Sequence, residues 1–152
     1  MSAQSKVLIT GASSGIGSVY ADRFAQRGYH LILVARDTNR LDKISKDLQE
    51  KYGVQVEFIQ ADLSNEQDIR KIEDVLKNDA DIEILVNNAG IALNGNFLTQ
   101  DRNEIEKLLT LNMTAVVRLS HAISQKLVNK GKGAIINLGS VLGLAPEFGS
   151  TI

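Results

Sequence analysis

The stretch that decides the fold is Thr10-Gly11-Ala12-Ser13-Ser14-Gly15-Ile16-Gly17, which follows the apolar run Val7-Leu8-Ile9. Gly11 lets the chain turn sharply out of a strand, Gly15 leaves room for a close anionic group, and Gly17 lets the next helix pack tightly on the sheet. Such a turn directs unpaired backbone N–H groups and a helix N-terminus at one point. Phosphate binds naturally at a point of this kind.

The surroundings of the glycine turn distinguish it from an ordinary Gly/Ser-rich turn. An amphipathic helix containing Val19, Phe24 and Ala25 follows it, and a second apolar run begins at Leu31. A strand, a glycine turn, a helix and a second strand within about thirty residues are what a dinucleotide-binding βαβ unit requires. The sequence therefore predicts a nucleotide site near the start of the chain.

Composition and charge narrow the class of protein. The 152 residues are 43% hydrophobic and 23% charged, which suits a single globular domain spanning 1–152. A net charge of −1 gives no electrostatic basis for binding nucleic acid or an anionic membrane. The sequence has no cysteine, so it excludes disulfides and cysteine-based metal sites, and we expect no metal. No signal peptide or membrane-spanning apolar run is apparent in it, so a cytoplasmic location is expected.

Apolar runs alternate with helical patterns, and this alternation predicts a parallel α/β sheet. The predicted strands lie near Val7–Thr10, Leu31–Ala35, Val54–Ile59, Ile84–Asn87 and Ala134–Leu138. The predicted helices lie near Gly15–Arg27, Asn39–Lys51, Glu66–Asn78 and Arg102–Lys130. Right-handed crossovers with a reversal after the third strand give the order 3-2-1-4-5 of a Rossmann-type doubly wound sheet. A ligand is then expected beyond the C-terminal ends of strands one and four.

The residues just beyond the second strand bear on the choice of cofactor. In NAD-preferring folds of this kind an acidic side chain binds the adenosine ribose and repels the extra phosphate of NADP, and here Ala35 occupies that place. Arg36 can fork onto a phosphate, so NADP is favoured over NAD. The alternative is that Arg36 is a surface residue paired with Asp37.

Two further strand ends carry polar side chains. Asp62, after the third strand, can accept a hydrogen bond from the exocyclic amine of adenine, or it caps the next helix, for which Ser64 or Asn65 is better placed. The fourth strand runs into Asn87-Asn88-Ala89-Gly90. The amides of that block can join adjacent strand ends while its small residues admit a flat cofactor, and a plain Asn/Gly-rich turn is the alternative.

Together these motifs resemble the short-chain dehydrogenase/reductase family in its non-extended form. The matching segments, in the family's order over nearly the whole chain, are TGxxxGIG at Thr10–Gly17, Asp62–Leu63, Asn87–Gly90, Leu111-Asn112-Met113 and Asn137-Leu138-Gly139-Ser140. The resemblance implies hydride transfer between NADP, or less favourably NAD, and a carbonyl or alcohol substrate. The cofactor contacts that it implies come from Gly11, Ser13, Ser14, Gly15, Ile16, Gly17, Arg36, Asp62, Leu63, Asn88, Ala89 and Gly90. Since some NADP-using members carry a basic residue where this chain has Ser14, Arg36 is the main candidate for binding the phosphate.

The resemblance also assigns catalytic positions. It makes Ser140 the group that hydrogen-bonds the substrate oxygen, and it makes Asn112 the holder of a relay water from a main-chain position in the long helix. Family members carry a Tyr-x-x-x-Lys pair further along, and counting from Ser140 places the tyrosine immediately beyond Ile152. We therefore expect a chain truncated before its proton donor, without the C-terminal strands and inactive alone. The alternatives are a non-catalytic dinucleotide-binding or interaction module, and a split enzyme that another chain completes.

Association is the last expectation, and it rests on the predicted helix Arg102–Lys130 and on an open edge at the fifth strand. The residues predicted to cover the sheet are Ile105, Leu108, Leu109, Val116, Leu119 and Ile123, and those predicted to extend the apolar surface are Met113, Val117 and Leu127. A homodimer or higher assembly is expected to cover the helix, the strand edge or both. Neither histidine matches a catalytic position: His30 is expected in a turn, and His121 at the surface or an interface.

Overall fold

The computed structural model describes residues 5–140. Its strands are β1 (Lys6–Thr10), β2 (His30–Ala35), β3 (Val56–Gln60), β4 (Ile82–Asn87) and β5 (Ala134–Asn137). They form one parallel sheet in the order β3-β2-β1-β4-β5, which confirms the predicted fold class and topology. The chain reverses direction across the sheet after β3, so β1 and β4 are neighbours whose carboxyl ends border one crevice.

Helices cover both faces of the sheet. They are α1 (Gly15–Gln26), α2 (Thr38–Tyr52), α3 (Glu66–Asn78), α4 (Arg102–Leu109) and α5 (Val116–Lys130). One face packs its buried side chains against α1 and α2, and the other packs against α3 and α5. Within β1, Val7 and Ile9 belong to the first core and Leu8 to the second. This two-sided burial explains why the central strands β1, β2 and β4 are mostly apolar.

The predicted helix Arg102–Lys130 is interrupted by a π-helical turn at Thr110–Ala115. Leu108, Leu111 and Ala115 are buried around this turn. Leu109 was predicted to cover the sheet, and that prediction is wrong because its neighbour Leu108 takes the inward position and leaves Leu109 40% exposed. Leu127 was predicted to extend the free surface, but it packs partly buried against the core.

The remaining differences are local. His30 begins β2 and does not lie in a turn, because its backbone pairs with Lys6 of β1. Its Nδ1 accepts a hydrogen bond of 2.8 Å from the backbone N–H of Gln55. His121 is exposed on α5, as expected. Among residues 5–140, β5 pairs with β4 alone and is therefore an edge strand. No helix in the described part of the chain is both long enough and apolar enough to cross a membrane.

Candidate functional site

A cleft of about 430 Å³ opens at the carboxyl ends of the strands. Five segments line it: the glycine turn after β1, the segments that follow β2, β3 and β4, and the π-helical turn through Leu111. The predicted cofactor residues that line it are Gly11, Ser13, Ser14, Arg36, Asp62, Leu63, Asn88, Ala89 and Gly90. Gly15, Ile16 and Gly17 do not line the cleft, since they form the first turn of α1 beside it. The cleft also includes Asp37 and Arg40, for which no sequence motif predicts a cofactor role.

The glycine turn is packed too closely for side chains at two of its glycines. At Gly11, where φ is +65°, an added Cβ would lie 2.7 Å from the amide nitrogen of Asn88 and 2.9 Å from Cα of Ala89. At Gly17 it would collide with the carbonyl oxygen of Gly11 and lie 2.5 Å from the Asn88 amide nitrogen. Gly15 has a φ of +54° and no heavy atom within 4 Å of such a Cβ, so the space there is open. Close packing therefore surrounds one open position.

The start of α1 differs from the starts of α2, α3 and α4. Asp37, Asn65 and Asp101 each accept hydrogen bonds at the beginning of α2, α3 and α4, respectively. Ser14 is the N-cap of α1, and its side chain makes no capping hydrogen bond. The first backbone N–H groups of α1 are thus left without a side-chain cap beside the cleft, which suits an anion.

Thr10 fixes the block that follows β4 against β1. Its Oγ1 accepts hydrogen bonds of 3.0 Å from the backbone N–H groups of both Asn88 and Ala89, and it donates to the carbonyl of Val86 at 3.3 Å. The Asn88 amide donates to the carbonyls of Thr10 and Gly11 at 3.0 and 3.1 Å. Sequence reasoning did not find this role for Thr10, because the partners are 76 to 79 residues away in the chain.

The neighbouring Asn87 joins three elements. Its amide donates to Ser120 Oγ of α5 at 3.0 Å and to Asn137 Oδ1 of β5 at 2.9 Å. The expectation that amides of this block join adjacent strand ends is confirmed. The block is therefore more than an Asn/Gly-rich turn, because its side chains hold β1, β4, β5 and α5 together.

Arg36 does not pair with Asp37. The Asp37 carboxylate pairs with Arg40 instead, with Oδ2 lying 3.2 Å from the Arg40 Nε and Oδ1 accepting the Arg40 backbone N–H at 3.0 Å. Within residues 5–140 the Arg36 guanidinium forms no ion pair, and it is exposed at the rim of the cleft. The alternative that treats Arg36 as the partner of Asp37 is wrong, since the first turn of α2 brings Arg40 back toward the N-cap.

Asp62 folds back on its own loop. Its Oδ1 accepts hydrogen bonds from Ser64, at 3.0 Å from the backbone N–H and 2.7 Å from the hydroxyl. Burial acts to raise the pKa of Asp62, but the Ser64 hydrogen bonds and the charges of Arg36 and Lys107 outweigh burial, and the net pKa is lowered. Asn65 caps α3, so the capping alternative for Asp62 is wrong. Asp62 is thus an ionised acceptor on the cleft wall.

Asn112 lies in the π-helical turn and reaches the loop after β4. Its Oδ1 accepts the backbone N–H of Ile91 at 3.0 Å, and its Nδ2 donates to the Ile91 carbonyl at 2.8 Å. An added Cβ at Gly90 would lie 3.3 Å from the Asn112 Oδ1. Ser140 is exposed beyond β5, at the same edge of the sheet, and is not among the residues that line the cleft.

Known proteins match this chain over most of its length. A family model described as short chain dehydrogenase matches residues 5–152. The very-long-chain 3-oxoacyl-CoA reductase of Bos taurus is 33% identical over 143 residues, which cover 91% of this chain and 46% of the relative. The chain therefore spans about half the length of the curated relatives it matches.

Two solved structures are similar throughout the described sheet and helices. The bulky-bulky ketone specific alcohol dehydrogenase from Comamonas testosteroni has a TM-score of 0.95 at 46% identity, over 99% of this chain and 60% of that one. A short-chain dehydrogenase from Sphingobium yanoikuyae, solved in complex with NADPH, has a TM-score of 0.95 at 53% identity, over 97% of this chain and 57% of that one.

Proposed function

We propose that this chain, which belongs to the short-chain dehydrogenase family, forms the cofactor-binding part of an oxidoreductase. We propose that it binds NADPH in the cleft. The observation that carries the proposal is Arg36, an unpaired guanidinium within residues 5–140 at the rim of the cleft. A neutral Ala35 precedes it at the end of β2, where an NAD-preferring fold carries an acid. The NADPH bound to the Sphingobium relative supports the same choice of cofactor.

Each part of the cofactor has a matching part of the cleft. The pyrophosphate is assigned to the uncapped start of α1, with Ser13, Ser14, Gly15 and Ile16 around it and with Gly11 and Gly17 shaping the turn. Arg36 is assigned to the 2′-phosphate of NADP. Asp62 and Leu63 are assigned to adenine, and the segment Asn88–Gly90 to the ribose and nicotinamide half.

The chemistry proposed for the whole protein is reduction of a carbonyl or oxidation of an alcohol, for which bound NADP supplies or accepts the hydride. Ser140 is assigned the hydrogen bond to the substrate oxygen. Asn112 is assigned to hold a relay water through its main chain, while its amide, bonded to Ile91 on both sides, holds the loop after β4.

A positioned acid must still deliver the proton. The three tyrosines of this chain do not line the cleft, and each makes other contacts. Tyr52 donates its hydroxyl to Asp22 at 2.8 Å, Tyr20 stacks on Phe24, and Tyr29 packs edge-on against the same ring. All three lie on the face of the sheet that α1 and α2 cover. We therefore propose that a polypeptide of these 152 residues binds cofactor without turning over substrate by itself.

Calorimetry with NADPH and NADH tests this function. The wild type is expected to bind NADPH more tightly, and Arg36→Ala to lose about tenfold in NADPH affinity with little change for NADH, because only NADPH carries the 2′-phosphate. Arg70→Ala, which removes an exposed arginine from α3, is the control. Equal affinity for the two cofactors, or no loss in Arg36→Ala, would contradict the NADP assignment. Carbonyl-dependent NADPH oxidation by the same samples would contradict the proposal that these 152 residues do not turn over substrate.

We further propose that two copies of this chain associate through the outer face of α4 and α5. Leu109, Met113 and Val117 recur at every fourth residue there and are 40%, 60% and 67% exposed. An apolar stripe of this kind on a soluble domain marks an interaction surface. A second copy presents an identical stripe, which a symmetric dimer buries against the first.

A further inference from the structure

An acidic side chain lies where the proposed phosphate subsite should be positive. Asp37 lines the cleft between Arg36 and Arg40, and it is exposed. Taken alone, its carboxylate would act against a bound 2′-phosphate in two ways. It would repel the phosphate directly, and it would offer the adjacent Arg36 an ion-pair partner that competes with the phosphate.

Both oxygens of that carboxylate are already engaged by one residue. Arg40 approaches Oδ2 with its Nε at 3.2 Å and donates its backbone N–H to Oδ1 at 3.0 Å. The arrangement follows from helix geometry, because Asp37 is the N-cap of α2 and Arg40 ends the first turn above it. In the part of the chain that the structure describes, the Arg36 guanidinium forms no ion pair.

We propose that Arg40 is a positioning residue that sets the preference for a 2′-phosphate by holding Asp37. Arg40 neutralises the carboxylate and keeps it turned to the start of α2, so that Arg36 remains available to the phosphate. The inference rests on the proposed function, in which the cleft binds NADPH. It adds that specificity depends on a pair of residues that need not touch the cofactor.

The test is a double-mutant cycle with adenosine 2′,5′-bisphosphate and 5′-AMP, two probes that differ only by the 2′-phosphate. The measured quantity is the ratio of their affinities for the 152-residue chain. Arg40→Ala is expected to lower the ratio about tenfold, because the released carboxylate repels the phosphate and competes for Arg36. Adding Asp37→Asn to Arg40→Ala is expected to restore the ratio to within about threefold of the wild type. Asparagine still caps α2, so the helix start is preserved.

Lys46→Ala is the matched control, since it removes one cation from the exposed Lys46–Asp42 pair of the same helix. It is expected to leave the ratio unchanged, which separates the Asp37–Arg40 contact from the general charge of α2. An unchanged ratio in Arg40→Ala overturns the inference. A ratio that stays low in the double variant also overturns it, because Arg40 would then bind the phosphate directly. A wild-type chain that binds neither probe refutes the proposed function itself.

Discussion

At the scale of single residues, Gly17 has the tightest surroundings in the glycine turn. A methyl group there would collide with the Gly11 carbonyl oxygen and lie 2.5 Å from the Asn88 amide. Both neighbours belong to one hydrogen-bond network, so they cannot move aside without breaking the bonds from Asn88 to the carbonyls of Thr10 and Gly11. We expect Gly17→Ala to lower the free energy of unfolding by about 1 to 3 kcal/mol in urea titration and to weaken NADPH binding.

Gly139→Ala is the control for this substitution, because a Cβ there would meet no heavy atom within 4 Å. Its free energy of unfolding should stay within about 0.5 kcal/mol of the wild type. If Gly17→Ala were equally neutral, the turn would have to be looser than its contacts indicate.

The residues of the site were predictable where a local motif carries the chemistry. The start of the glycine turn, Arg36, Asp62 and the segment 88–90 were expected at the cleft from their positions at strand ends, and they line it. The ion-pair partner of Asp37 was not predictable, because arginines lie at both the preceding and the third following position. Only the geometry of a formed helix turn decides between them.

At the scale of elements, an ion pair ties α3 to α5 on one face of the sheet. Glu73 accepts from the Arg118 Nε at 2.9 Å, and their side chains are only 14% and 29% exposed. The Arg118 hydrogen bond lowers the pKa of the Glu73 carboxyl in the folded protein. The pair therefore contributes stability above the unfolded-state pKa of about 4.3, and this contribution is lost as the pH falls through the lower folded-state pKa.

Glu73→Gln tests this pair. At a pH of about 7, the substitution is expected to lower the free energy of unfolding by about 1 kcal/mol, and the difference from the wild type should shrink at a pH of about 3. Glu106→Gln, at the exposed Arg102–Glu106 pair, is the control and should have little effect at either pH. A difference for Glu73→Gln that grows in acid would reverse the assigned sign.

The predicted ends of the strands and helices lie within two residues of the observed ends. The exception in internal structure is the segment Arg102–Lys130, which is not one continuous helix. The π-helical turn at Thr110–Ala115 escaped detection because its residues are as acceptable in an α-helix as in the wider turn. The hydrogen bonds of this turn join it to a distant segment, which the sequence alone does not indicate. Asn112 forms two hydrogen bonds with Ile91, a partner 21 residues away that no helical periodicity could reveal.

At the scale of the whole molecule, the topology was predictable because few arrangements satisfy it. Five short apolar runs separated by helices allow a parallel sheet, and the right-handed crossover rule then fixes the layers. The positions of exposed apolar residues were harder to predict, since burial depends on how each helix is rotated. For this reason Leu109 is exposed where burial was predicted, and Leu127 is partly buried where exposure was predicted.

The proposed dimer is tested on the stripe that this rotation exposes. Val117→Glu places a charge at the C-terminal end of the apolar stripe, where Val117 is 67% exposed and makes little contribution to the core. The variant is therefore expected to fold as the wild type does but to sediment as a monomer at micromolar concentration, while the wild type sediments as a dimer. Gln49→Glu adds the same charge on exposed α2, across the sheet, and should leave the dimer intact. A wild-type monomer would contradict the proposal. A dimer that survives Val117→Glu would move the interface elsewhere. Within residues 5–140 the outer edge of β5 pairs with no strand, and it offers backbone groups for such a contact.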